Sequence, residues 1–324
     1  MTPSHQGSIH LFQIAGIDVY LHWSWFIIAV IEVGYLRSRY SSLVWCVLEY
    51  LALFGIVLLH EFGHALACRQ VGGKANRIML WPLGGVAYVD PPQRPGATLW
   101  SLAAGPLVNV ALLVPLWALG GRYLLADILG APRPQTDAAT WLIAVLSIDI
   151  GLLIFNILPI YPLDGGQILR SLLWFVLGRG RSLQVSTFIG FMGVAVFICF
   201  AILRHSTWLL AIAAYMLLNC WNGWKIARVM IRVEKMPRRE GFACPNCGSK
   251  PAMGPHWRCA QCLKPFDTFE SGAVCPWCST QFNITMCVDC QKTSPMRDWI
   301  ATGPHPGAAV PGGAALINQQ PVGS

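Results

Sequence analysis

Charge is what this sequence has least of. Asp, Glu, Lys and Arg together make up 12% of its 324 residues, about half the share of an ordinary soluble domain. That scarcity excludes a water-soluble globular chain. Acids are the scarcer sign, 15 against 23 bases, which leaves a net charge of +8. This excess does not require nucleic acid, because membrane topology and anionic lipid headgroups account for it. Basic residues are absent ahead of the first apolar segment, and no small-residue cleavage site follows it, so no removable signal peptide is read there. The first span is expected to stay in the mature protein.

What the chain does have is 55% apolar residues and a mean hydropathy of +0.51. Runs long enough for a hydrocarbon core of about 30 Å fall at 21–36, 43–66, 97–120, 139–160, 183–203 and 207–229. The fold class expected is mainly α: a polytopic membrane bundle of about six spans, a small re-entrant β-like loop, and a small zinc-ribbon domain. Arg69, Lys74, Arg77, Arg94, Arg170, Arg179, Arg181 and the cluster from Lys225 to Arg239 fall on one side of these spans. Arg37, Arg39, Arg122, Arg133 and Arg204 fall on the other. The positive-inside rule then puts both termini in the cytoplasm. Composition divides the chain into a membrane domain at 1–238, a cytoplasmic cysteine-rich domain at 239–299 and a Gly/Pro/Ala-rich tail at 300–324, expected to be disordered.

Ionisable residues at membrane depth are costly and rare. "LLHEFGHAL" carries three of them after an apolar run. Residues four apart share a helix face, so His60 and His64 can turn their rings to one cation, with Glu61 beside it as a general base. Zinc requires a third protein ligand, and a catalytic site leaves the fourth position to water. The candidate is Asp164 in "FNILPIYPLDGGQILR", where Pro159 and Pro162 break the span and Gly165-Gly166 allow an open turn. An Asp-Gly pair is also an ordinary loop turn, and alone would read as one.

"HEFGH" together with "NILPIYPLDGG" resembles the paired signature of the site-2 protease family, intramembrane zinc metalloproteases that cut other proteins within or next to their transmembrane helices. The resemblance extends to "AGIDVYLHWSWF", to "IMLWPLGGVAYV" and to the Gly-Pro-x-x-Asn of "AAGPLVNVAL", over about residues 14–230. It implies zinc ligation by His60, His64 and Asp164 and water activation by Glu61. Asn109 and Asn156 match family positions that hold the substrate backbone or stabilise the oxyanion; each reads equally as an interhelical hydrogen bond. The loop "RIMLWPLGGVAYV", with strand-like content interrupted at Pro82 and Gly84-Gly85, reads either as a strand edge for an extended peptide or as a re-entrant packing loop. No segment reads as a PDZ or CBS regulatory domain.

Four C-x-x-C pairs follow: Cys244/Cys247, Cys259/Cys262, Cys275/Cys278 and Cys287/Cys290. Each supplies two thiolates at tetrahedral spacing, and two pairs close a structural zinc site of four cysteines. Consecutive pairing is the expected arrangement, with an interleaved one open. Disulfides are disfavoured in a reducing compartment. Lys250, Arg258 and Lys264 are offset by Asp267, Glu270 and Asp289, which disfavours nucleic acid.

The function expected is therefore an intramembrane zinc endopeptidase with one catalytic and two structural Zn2+. Its partners are the lipid bilayer, a single-span membrane protein as substrate, and a cytoplasmic protein docking on the ribbons. The alternative is a non-catalytic zinc-binding receptor or scaffold acting through the ribbons, for which Glu61 would be unnecessary. A metal transporter would spread acids and histidines along a path across the bilayer; the sequence shows one cluster instead.

Overall fold

The computed structural model describes residues 7–81, 84–130, 136–299 and 320–321. The chain divides into two compact units, Met1–Trp224 and Lys225–Ser324.

The first unit opens with a hairpin, β1 (Ser8–Ile14) and β2 (Ile17–His22), turning through Ala15 and Gly16, both at positive φ. α1 (Ser24–Leu36) and α2 (Leu43–Gln70) follow, then β3 (Lys74–Trp81) and β4 (Gly84–Asp90). Next come α3 (Pro95–Ile128), α4 (Asp137–Ile157), α5 (Asp164–Leu177), α6 (Arg179–Leu203) and α7 (Thr207–Glu234). Proline starts α3 at its first position, where the missing N–H is not needed, and Pro159 follows the end of α4. α5 ends at Gly178, in the left-handed region at φ 79°.

Four helices among the described residues, α2, α3, α4 and α6, are long and apolar enough to cross a membrane. The chain is an integral membrane protein with a mainly helical fold. The sequence predicts six spans. β2 takes Leu21 and His22 from the first apolar run, and α1 has 13 residues, about 20 Å of helix against a core of about 30 Å. α7 is long, but Asn219, Trp221, Asn222 and Trp224 dilute its hydropathy.

A four-stranded sheet in the order β1-β2-β3-β4 replaces the small β-like loop, with β2–β3 parallel and the other pairs antiparallel. Alternate residues of β2, Ile17, Val19 and Leu21, are buried, as the period of a strand requires. They pack with Ile78 and Leu80 of β3 against Val57, Ala65 and Cys68 of α2. This anchors the sheet on the helix that carries the histidines. Arg69 at the end of α2 completes the clamp, donating to the carbonyls of Ala15, Gly16 and Ala75. At Gly63 a Cβ would stand 2.7 Å from the carbonyl oxygen of Ala104, so α2 and α3 meet backbone to backbone.

The second unit is built on short strands: β5 (Trp257–Arg258), β6 (Pro265–Phe266), β7 (Ile284–Met286), β8 (Thr293–Pro295) and β9 (Gln320–Pro321). Its core is Trp257, Phe266, Phe269, Phe282 and Trp299 around the cysteines. Of the tail at 300–324, Gln320–Pro321 pair with β5, and the rest lies outside the described residues, as does Pro82.

Candidate active site

His60, Glu61 and His64 are all buried on α2. Each imidazole is held from behind. His60 Nδ1–H donates to the Asn109 side-chain oxygen at 2.6 Å, and His64 Nδ1–H donates to the Ser101 carbonyl at 2.8 Å. Both donors lead to α3, which lies against α2. With the proton on Nδ1 in each neutral ring, the Nε2 atoms present lone pairs. These point at one another, 3.1 Å apart, and at Asp164 Oδ2, 3.0 Å from His60 and 3.3 Å from His64.

Three acceptors thus converge with no proton of their own to share, an arrangement that calls for a cation. Tetrahedral zinc with bonds of about 2.0–2.1 Å needs donors about 3.3 Å apart, and the three separations here are 3.0, 3.1 and 3.3 Å. Space is reserved as well: a Cβ on Gly105 of α3 would run into both Nε2 atoms. The residues present fit a zinc ion.

Asp164 reaches the histidines as the first residue of α5. The Pro-rich connection from α4 brings it there, and Gly165 and Gly166 let α5 press on the backbone of Ile157 and Ile160. The Asp-Gly pair is therefore a helix start and not an open loop turn. Ser186 of α6 ties this helix down through the Gly166 carbonyl at 2.6 Å.

Glu61 faces the sheet. Its Oε2 accepts the backbone N–H of Ala87 on β4 at 2.8 Å, and a Cβ on Gly85 would collide with its carboxyl group. β4 is the terminal strand of the sheet, so Glu61 sits at a strand edge.

The two asparagines have different surroundings. Asn109 is completely buried and uses both ends of its amide, the oxygen on His60 and the nitrogen on Asp149 Oδ1 at 2.7 Å. It links α2, α3 and α4. Asn156, half-buried near the end of α4, takes no part in the hydrogen bonds that join the other site residues. Asp149 escaped the sequence reading, although an acid inside "VLSIDIGLL" is itself a signal of an intramembrane site.

The cysteines group by fours, but not consecutively. Cys244, Cys247, Cys287 and Cys290 converge, and Cys259, Cys262, Cys275 and Cys278 form a second set nested inside the first. The Sγ separations of 3.8 Å in the outer set and 3.5–3.6 Å in the inner one suit zinc, whose bonds to sulfur of about 2.3 Å require about 3.8 Å. All four knuckles repeat one turn. The residue after each second cysteine, Gly248, Leu263, Ser279 and Gln291, has positive φ and donates its N–H to the carbonyl of the first. Consecutive pairing does not form: β5–β6 and β7–β8 each close around a single knuckle, and the first knuckle is tied instead to the last segment, the Ala243 N–H donating to the Trp299 carbonyl at 2.9 Å and the Asn246 amide to the Ser294 hydroxyl at 2.7 Å.

Residues 49–128 and 125–200 match the model of peptidase family M50. A zinc metalloprotease of Methanocaldococcus jannaschii is 31% identical over 208 residues, covering 64% of this chain and 58% of the relative. A candidate zinc metalloprotease of Synechocystis sp. is 27% identical over 264 residues, covering 76% of this chain and 67% of the relative. The solved site-2 protease from Methanocaldococcus jannaschii is 28% identical, covers 67% of this chain and 95% of that one, and superposes with a TM-score of 0.47. The chain spans 58% of the length of the first of these curated relatives and 67% of the second. The His-Glu-His helix and the strand edge beside it lie inside the matched segments, so it is the membrane unit that carries the similarity to peptidase family M50, the site-2 protease family.

Proposed function

We propose that the protein is an intramembrane zinc endopeptidase that hydrolyses a peptide bond within or near the transmembrane helix of a single-span membrane protein. One observation carries this reading: three lone-pair donors converge in the helical bundle with a carboxylate as the next residue on the same helix. His60, His64 and Asp164 would hold the zinc. The ion, when bound, supplies a Lewis acid for the scissile carbonyl and lowers the pKa of water toward about 7. Glu61 takes the proton from the attacking water and passes it to the departing amine nitrogen, so the peptide bond and one water become a carboxylic acid and an amine.

A helical substrate hides its peptide bonds in its own hydrogen bonds and must be unwound. The β4 edge supports an extended binding mode, because a segment added along it runs past Glu61. Such addition satisfies the backbone groups that unwinding would expose at membrane depth.

The membrane protease domain is assigned to 1–238 and the double ribbon to 239–299, with both termini cytoplasmic by the distribution of Lys and Arg. Two structural zincs in the nested cysteine sets complete a total of three, and the ribbons act as the docking module for a cytoplasmic protein.

The test is Glu61→Gln in the full chain. Membrane proteomics of a deletion strain complemented with wild type or with this variant should show the same single-span proteins uncut in the variant, with protein level and zinc content unchanged. Wild-type cleavage by the variant would refute the proposal.

A further inference from the structure

Asp149 is an acid with no role in the hydrolytic scheme, yet it is completely buried on α4. Its Oδ1 accepts the Asn109 amide N–H at 2.7 Å, while its Oδ2 is buried with no hydrogen-bond partner among the described residues. Half of its hydrogen-bonding capacity is thus forgone for a single contact. Burying a carboxyl group so poorly served is costly.

The contact has a direction. Asp149 Oδ1 is an acceptor, so it takes the NH2 end of the Asn109 amide and turns the carbonyl end toward His60. That carbonyl can only accept, so the proton of the neutral His60 ring must sit on Nδ1. The Nε2 lone pair is then free, facing Asp164 Oδ2 at 3.0 Å. Were the amide reversed, its NH2 would face Nδ1, drive the proton to Nε2 and fill the ligand position with hydrogen. Among the described residues, Asp149 is the group that decides between these two states of Asn109. His64 needs no such device, because a backbone carbonyl, that of Ser101, can only accept.

We propose that Asp149 is a positioning residue for the metal site, setting the Asn109 amide and through it the His60 tautomer. This rests on the zinc reading above. Its effect runs from α4 through α3 to α2, with no contact between Asp149 and the ligand atoms.

The experiment measures zinc affinity, not turnover. Full-length protein in detergent is titrated with a competing chelator, and the equivalent that disappears in the His60→Ala, His64→Ala variant identifies the site. Asp149→Ala should weaken that equivalent about 10–100-fold, the usual effect of losing a partner behind a metal ligand, and leave the cysteine-bound zinc unchanged. Asp149→Asn gives up the bias, since its amide can face Asn109 with either end, and should weaken the site as well. The exchange Asn109→Asp with Asp149→Asn, equal in volume, should retain the metal, because the acceptor-only carboxylate at 109 then still accepts from His60. Wild-type affinity in Asp149→Ala overturns the proposal, and so does a tenfold loss in the exchange variant, which keeps an acceptor-only group behind His60. If Asp149→Ala does not fold, the exchange decides alone: retention supports the proposal and a tenfold loss overturns it. A His60→Ala, His64→Ala protein that keeps every zinc would instead refute the zinc reading itself.

Discussion

Gly105 offers the sharpest check on the space between the histidines. A methyl group there would stand 2.7 Å from His60 Nε2 and nearer still to the His64 ring, whereas ordinary contact begins at 3.4 Å. The difference between those values, at least 0.7 Å, has to come from somewhere. It cannot come from α2 alone, because the separations of 3.0–3.3 Å among the three donors would open with it. Moving α3 away instead breaks the hydrogen bonds from His60 to Asn109 and from His64 to Ser101. Ligand sets of this kind tolerate about 0.5 Å, and disturbing the hydrogen bonds behind metal ligands costs about 10–100-fold in affinity. Gly105→Ala should therefore lower the affinity of the catalytic zinc about 10–100-fold, about 1.4–2.8 kcal/mol at 1.4 kcal/mol per tenfold. Equilibrium dialysis against zinc buffers reads this directly, with the ribbon zincs as an internal reference. Gly55→Ala on α2, where a Cβ meets nothing within 4 Å, serves as the control. Gly105→Ala protein that binds all its zinc as tightly as wild type would show that the gap is not the metal's place.

Nested cysteine sets predict that Cys247→Ser with Cys287→Ser removes one zinc by elemental analysis, whereas consecutive pairing would remove two. Arg238 grips Asp289, a residue of the last knuckle, with bonds of 2.6 and 3.0 Å, and this pairing raises the guanidinium pKa above its ordinary value. A raised value means that the stabilisation is complete below the ordinary arginine pKa and fades only in strong alkali, so Arg238→Ala should cost about 1–2 kcal/mol uniformly across neutral pH in denaturant melts. A strong dependence between about pH 5 and 9 would contradict this. Trp257, 1% exposed with its indole N–H on the Met286 carbonyl at 2.9 Å, should cost about 3–5 kcal/mol on replacement by Ala, visible as ribbon proteolysis with the membrane unit intact.

The zinc helix was legible because its chemistry is local: four residues of separation determine which side of α2 two histidines share, whatever surrounds them. Asp164 was legible by elimination, but its setting was not. Two glycines after an aspartate signal a turn in isolation, and only the approach of α5 to the Ile157 and Ile160 backbone reveals why side chains are absent there. The strand β2 carries the alternation of a half-buried strand, Ile17, Val19 and Leu21 against Asp18, Tyr20 and His22, but six residues are short and their last two run into the apolar segment that begins at Leu21. Ribbon pairing was not readable at all. A C-x-x-C knuckle specifies half a site and is silent on its other half, which hydrogen bonds between segments far apart in sequence decide.

Nesting also sets an order of assembly. The shortest closure of the inner set joins cysteines 13 positions apart, and the corresponding closure of the outer set joins cysteines 40 apart. Closing the longer loop first costs about 1 kcal/mol more chain entropy, about a fivefold disadvantage in forming it. Zinc should therefore gather Cys259, Cys262, Cys275 and Cys278 before the outer four. Once they are joined, the path between Cys247 and Cys287 is already shortened, so under metal limitation the ribbon fills from the inside outward and empties from the outside in.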